Sequence, residues 1–216
     1  MSFWLFLQKN NAILLKALGQ HIVICLVALG LGFLIAFPVG ILLTHKRKAS
    51  AAVLGFFGVV NTIPSLVLLG VAMVVMGIGF APAVAVLFVY SLLPIMRNTY
   101  TGITDVPYKY IKAATGVGMS PMQILTKVEI PLALPAIITG IRLSSIYIIS
   151  WATLSTFIGA GGLGDLIWSG LQSYNYNMLM LGALPATFLA LAVSFLLSLA
   201  ERASARYAQG AKGKRT

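Results

Sequence analysis

HIVICLVALGLGFLIAFPVGILLT, residues 21–44, decides what kind of protein this is. The run holds no lysine, arginine, aspartate or glutamate. A helix rises 1.5 Å per residue and a bilayer core is about 30 Å thick, so roughly 20 apolar residues cross it. Residues 21–44 satisfy that requirement. Four more candidates follow at residues 51–77, 82–96 and slightly beyond, within 134–158, and 176–200. The second is uncharged but interrupted by NTIPS at 61–65, where Asn61 and Pro64 either kink one span or split it into two short pieces. The expected fold is an all-α integral membrane protein with about five transmembrane helices.

Composition agrees. The 216 residues are 59% hydrophobic and 9% charged, with a mean hydropathy of +0.97. Soluble domains are about one quarter charged. The single cysteine, Cys25, lies inside the first apolar run, which excludes a disulfide framework and a thiol metal site. The opening MSFWLFLQKNN places apolar residues ahead of its first lysine, the reverse of a cleaved signal peptide. Residues 1–20 therefore read as an amphipathic segment before the spans.

The net charge is +11. Its cations sit in short clusters between apolar runs, which signals topology rather than nucleic-acid binding. One set of connecting segments holds Lys46, Arg47, Lys48, Arg97, Lys109, Lys112, Lys127, Arg202, Arg206, Lys212, Lys214 and Arg215. The other set holds only Lys9 and Lys16. The bias predicts an N-terminus outside and a C-terminus inside. Residues 1–20 are then extracytoplasmic, the loop at about 105–131 is cytoplasmic, and 201–216 form a basic cytoplasmic tail.

The stretch GAGGLGDL at 159–166 spells G-x-G-x-x-G with Gly159, Gly161 and Gly164. It follows the fourth span and so falls at the outer face, without a preceding strand. After Asp165 the next acid is Glu201, so no carboxylate sits where a ribose would need one. The nucleotide reading fails. Two readings stay open: an ordinary tight loop, or a docking surface for whatever delivers cargo from outside.

Asp105, Glu129, Asp165 and Glu201 all lie at or beyond span ends. A proton relay normally requires an acid or histidine inside the membrane, so a proton-coupled carrier is disfavoured. No Walker sequence, metal-ligand cluster or nucleophile–base pair occurs, and the chain is not expected to be an enzyme. The polar residues within spans are the remaining clues. Asn61, Thr62 and Ser65 surround Pro64. Ser144, Tyr147, Trp151 and Ser155 recur at helical spacing. Each group either satisfies helix packing or lines a route for a small polar or cationic solute. Arg142 points nearly opposite that stripe, free to snorkel or to pair.

The loop DVPYKYIKAATGVGMSPMQILTKVEIPLALP, residues 105–135, is the most informative. Pro107 to about Thr115 suit a short helix, which Gly116 and Gly118 end. Ser120, Pro121 and Gln123 then supply an N-cap, a first-turn proline and a capping-box partner. A second short helix is expected to run to Glu129 and stop before Pro131. The small residues Ala113, Ala114, Gly116 and Gly118 thin the first helix enough for another surface to approach.

Here the sequence resembles a known family. Lys112-Ala113-Ala114, three residues, Gly118, nine residues, then VEIP at 128–131 is similar to the E-A-A-x(3)-G-x(9)-I-x-L-P loop of ABC-importer permeases. NTIPSLVLLG, YSLLPIMRNTYTGI, this loop, PLALPAIITGIR and FIGAGGLGDLI, in that order, resemble the permease subunits of osmoprotectant importers. Such importers carry glycine betaine, carnitine, choline and related quaternary amines. The resemblance implies that Lys112, Ala113, Ala114, Gly116, Gly118 and Met119 couple to a separate ATPase dimer, which binds ATP and Mg. It implies that Asn61, Thr62, Pro64 and Ser65 flank the translocation route. It puts Gly159, Gly161, Gly162 and Gly164 near an extracytoplasmic substrate-binding protein. A second permease, identical or homologous, would complete the path in the bacterial cytoplasmic membrane. Lys112 departs from the pattern, standing where the family has glutamate. The rival expectation is an ATP-independent carrier or channel that coordinates an ion through hydroxyls and carbonyls.

Overall fold

The structure, a computed structural model, describes residues 3–213, with side chains described except at residue 47 and from 207 onward. Residues 214–216, the end of the expected basic tail, lie outside the described residues. Helices follow one another along the chain: α1 (Phe3–Lys9), α2 (Asn11–Thr44), α3 (Arg47–Val60), α4 (Ser65–Met76), α5 (Phe80–Thr104), α6 (Tyr108–Gly116), α7 (Pro121–Ile124), α8 (Ile130–Ala152), α9 (Leu163–Gln172) and α10 (Tyr176–Gly213). No strand occurs among the described residues.

Four stretches are long and apolar enough to cross a bilayer: Asn11–Thr44, Phe80–Thr104, Pro121–Ala152 and Tyr176–Arg206. The pair Lys48–Val60 and Ser65–Met76 passes that test only jointly and is bent by 89°. The count is therefore five when the bent pair is one span. The split at Asn61 and Pro64, open from sequence, is realised. At 14 and 12 residues, α3 and α4 are each too short to cross alone.

Helix α5 is the centre of the bundle. Of its apolar window 61% is buried, against 28% for α2 and 17% for α10. It packs between α2 and α8, and α8 in turn packs on α10. Lipid gives little hydrophobic push between helices, so close approach of small residues must hold such a bundle together. A Cβ added at Gly32 of α2 would lie 1.8 Å from Ser91 Oγ of α5. One added at Gly140 of α8 would lie 2.8 Å from the Pro94 carbonyl oxygen of α5. Both seams exist because these positions have no side chain.

Two sequence expectations change. The first span was bounded at His21, yet α2 begins at Asn11. Polar residues such as Lys16 and Gln20 limit burial in lipid but do not end a helix. Phe6 and Ala17 pack against Leu163, Leu166, Leu181 and Ala186, which ties the N-terminal segment to α9 and α10. The second loop helix does not stop before Pro131. α7 passes through one π turn, Leu125–Glu129, directly into α8. In that turn the Ile130 N–H donates to the Leu125 carbonyl, five residues back. Pro131 falls just past that turn, inside the continuous helix, where it has no N–H to donate to the preceding turn. At the other end α8 finishes at Ala152 and a 3₁₀ turn, Leu154–Ile158, follows.

Candidate translocation route and docking loops

The backbone break between α3 and α4 creates polar groups that lipid cannot satisfy. Backbone turn bonds close some of them, Asn61 N–H to the Phe57 carbonyl and Thr62 N–H to the Val59 carbonyl, and side chains add a second donor to each. Asn61 Nδ2 donates to the Phe57 carbonyl at 3.1 Å, and Thr62 Oγ1 to the Val59 carbonyl at 2.7 Å. The Ile63 carbonyl receives the hydroxyl of Tyr90, from α5, at 2.5 Å. Tyr90 is 1% exposed, and a buried tyrosine needs a partner for its O–H. Its ring packs on Trp151 of α8, with centroids 4.3 Å apart. Trp151 stacks on Tyr147 at 5.3 Å and 22°. Tyr90 thus joins the broken span to part of the polar-aromatic stripe. Sequence reasoning missed it; a tyrosine inside an apolar run was the available signal.

The two serines of that stripe serve packing within the chain. Ser144 is fully buried and donates to the Ser91 carbonyl of α5 at 2.8 Å. Ser155 lies beyond the end of α8, fully buried, and donates to the Ala152 carbonyl. Only Tyr147, at 40% exposure, and the half-buried Trp151 are left facing outward. At the break, Thr62 and Pro64 are exposed, while Asn61 and Ser65 are half-buried. Arg142 is paired: its Nη2 lies 3.3 Å from Glu201 Oε2 of α10. The contact is an ion pair without hydrogen-bond alignment, since Glu201 Oε2 accepts no hydrogen bond among the described residues.

The loop between α5 and α8 sits at the end of the bundle that carries the basic clusters. α6 closes in a Schellman turn: the Gly118 N–H donates to the Thr115 carbonyl at 3.0 Å, and the Met119 N–H to the Ala114 carbonyl at 3.1 Å. This turn requires the left-handed conformation that Gly118 adopts, φ +83°. The expected capping box is present. Gln123 N–H donates to Ser120 Oγ, and Ser120 N–H to Gln123 Oε1 at 2.9 Å. Lys112, Ala113, Gly116 and Gly118 are exposed, and Met119 is half-buried. Ala114 is buried against its own chain and seats α6. Around the turn stand Tyr108, Val117 and Met122, all more than half exposed. A cleft of about 440 Å³ separates the loop from the end of α2, between Ile41, Leu42, Ile111 and Leu125.

At the opposite end, residues 159–162 turn the chain from the 3₁₀ segment into α9. Gly159, Gly161 and Gly162 all have positive φ. Gly162 is buried against His21, and its N–H donates to Gln20 Oε1 at 3.3 Å. Gly164 is buried too; a Cβ there would lie 2.0 Å from the Thr153 carbonyl oxygen. Thr156 donates its hydroxyl to Asp165 across the turn. Of the four glycines only Gly159 is exposed, and Gly161 is half-buried. The outward surface here is aromatic instead: Phe157 against Trp168, with Tyr174 and Tyr176 beyond.

Residues 18–208 match the family described as binding-protein-dependent transport system inner membrane component. The chain belongs to that family. Among curated relatives of this permease, the glycine betaine/carnitine/choline transport system permease protein OpuCB of Bacillus subtilis is 46% identical over 91% of both chains. The carnitine transport permease protein OpuCB of Listeria monocytogenes is 45% identical over 91% of this chain and 90% of its own. Among solved structures, the inward-facing MetNI methionine ABC transporter aligns with a TM-score of 0.79 at 25% identity, covering 94% of this permease and 99% of that chain. An amino acid ABC transporter aligns with a TM-score of 0.76 at 21% identity, covering 94% and 98%. The permease reading therefore stands over the free-standing carrier or channel, and the protein is a multi-pass membrane protein.

Proposed function

We propose that this permease forms, with a second identical or homologous copy, the translocation path of an importer for a quaternary-amine osmoprotectant such as glycine betaine, carnitine or choline. A separate ATPase dimer, holding ATP and Mg, grips the exposed loop around Gly116 and Gly118. An extracytoplasmic binding protein delivers cargo at the opposite end, where Gly159 reaches the surface. The chain itself performs no bond chemistry. It sits in the bacterial cytoplasmic membrane with its basic end inside, as the distribution of lysine and arginine favours.

One observation carries the substrate class: near one-half identity to osmoprotectant permeases over nine-tenths of the chain, route and loop alike. The test is uptake by the complex reconstituted with its ATPase and binding protein. Labelled glycine betaine should accumulate only with ATP and be displaced by choline or carnitine but not by common amino acids. Accumulation by the purified chain alone, driven by an ion gradient, would overturn the reading. Orientation is checked separately. Cys25 is buried, so a cysteine placed at exposed Thr115 or Ser173 gives a clean label. An impermeant maleimide added outside intact cells should modify position 173 and spare 115.

A further inference from the structure

We propose that Tyr90, Tyr147 and Trp151 form an aromatic wall against which the ammonium group of the cargo rests briefly during its passage. The proposal builds on the osmoprotectant reading and assigns that cargo a contact inside the membrane-spanning body.

The wall is fixed at its inner edge and open at its outer one. Tyr90 is buried, and its hydroxyl is tied to Ile63 at the helix break. Trp151 lies between the two tyrosines, 4.3 Å from Tyr90 and 5.3 Å from Tyr147. Tyr147 carries the cluster to the surface at 40% exposure. Its hydroxyl makes no hydrogen bond among the described residues. In lipid that O–H would have nothing to bond, whereas along a wet path it meets water or cargo. The open edge of the wall therefore faces a polar route.

The surrounding charges fit a cation. α4 carries no charged residue, and α8 none after Arg142. Arg142 sits five residues before Tyr147, about 140° around the helix, and is engaged by Glu201. Its charge is thereby turned away and neutralised, so it does not repel an ammonium at the wall. A quaternary ammonium has no N–H to donate, and aromatic faces attract it through the ring quadrupole, tryptophan most strongly. A buried carboxylate would hold the ion more firmly. Passage needs sites that bind well enough to admit the solute and weakly enough to release it. Two accessible rings, Tyr147 and Trp151, backed by the buried Tyr90 and without a carboxylate, meet that condition.

The experiment uses the full complex in proteoliposomes with its ATPase and binding protein. Tryptophans bearing one, two and three ring fluorines are placed at position 151 by stop-codon suppression. Fluorine withdraws charge from the ring face and barely changes its shape. The initial rate of labelled choline or glycine betaine uptake should fall stepwise, about tenfold across the series. Trp151→Phe should fall part-way down the fluorine series and Trp151→Leu lose the rate at least tenfold, each at equal recovery of assembled complex. A rate that stays flat along the fluorine series overturns the wall while leaving the osmoprotectant reading intact. A wild-type complex that accumulates no quaternary amine removes both.

Discussion

The two ends of this permease each carry a turn that needs positive-φ glycine, Gly159, Gly161 and Gly162 at one and Gly118 at the other, and the glycines in and beside these turns serve in opposite ways. At the end holding α9, Gly162 and Gly164 are pressed into the body, against His21 and the Thr153 carbonyl. At the basic end, a Cβ added to Gly116 or Gly118 would meet nothing within 4 Å. One turn is glycine-rich because its own chain crowds it. The other keeps small residues where its own chain leaves open space, as a surface shaped for a visiting partner would. The contrast teaches that glycine spacing alone does not separate an internal joint from an external one.

Substitutions sharpen or break this contrast. The largest effect belongs to Gly164→Val. Its Cβ would collide with backbone rather than a flexible side chain, so overpacking should destabilise the protein by about 3 kcal/mol. The measurement is detergent-extracted yield and thermal melting; a normal melt would erase the crowded half of the comparison. Gly118→Val comes next, costing about 1–2 kcal/mol for a side chain in the left-handed region. It should still insert in the membrane, yet uptake and substrate-stimulated ATPase activity should fall at least tenfold. Gln20→Ala removes the acceptor for the Gly162 N–H and should cost about 1 kcal/mol, read as a small drop in melting temperature. Gly116→Ala is the gentlest, a gain of about 0.5 kcal/mol at a helical position with free space. Because a Cβ at Gly116 enters open space, Gly116→Leu should leave the melt unchanged, and lost coupling would then report contact with the ATPase directly. Retained coupling in Gly116→Leu would show that no surface closes on α6.

Local features were legible in the sequence and distant ones were not. Ser120, Pro121, Gln123 and Gly118 lie within a few residues of the groups they satisfy, and both the capping box and the helix stop at Gly118 are present. The membrane spans were legible because length and apolarity are sums over a run. The continuation of α7 into α8 was not, because a π turn absorbs the proline that ordinarily marks an end. Tyr90 escaped notice because its partner Ile63 is 27 residues away and is exposed only by the bend. The stripe on α8 was half readable. Its spacing is helical from Ser144 to Trp151, but which face meets α5 depends on the bundle. The pairing of Arg142 with Glu201 likewise required a second helix.

The unbroken run Pro121–Ala152 has a mechanical meaning. From Ser120, beside the loop turn, to Trp151, at the aromatic wall, the chain is one stiff rod of roughly 45 Å at 1.5 Å per residue. No break in the helical backbone interrupts it; its irregularities are a wider coil at Leu125–Glu129 and two prolines, Pro131 and Pro135, that have no N–H to donate. Displacing one tip must swing or twist the other, just as a tiller turns a rudder through a solid shaft.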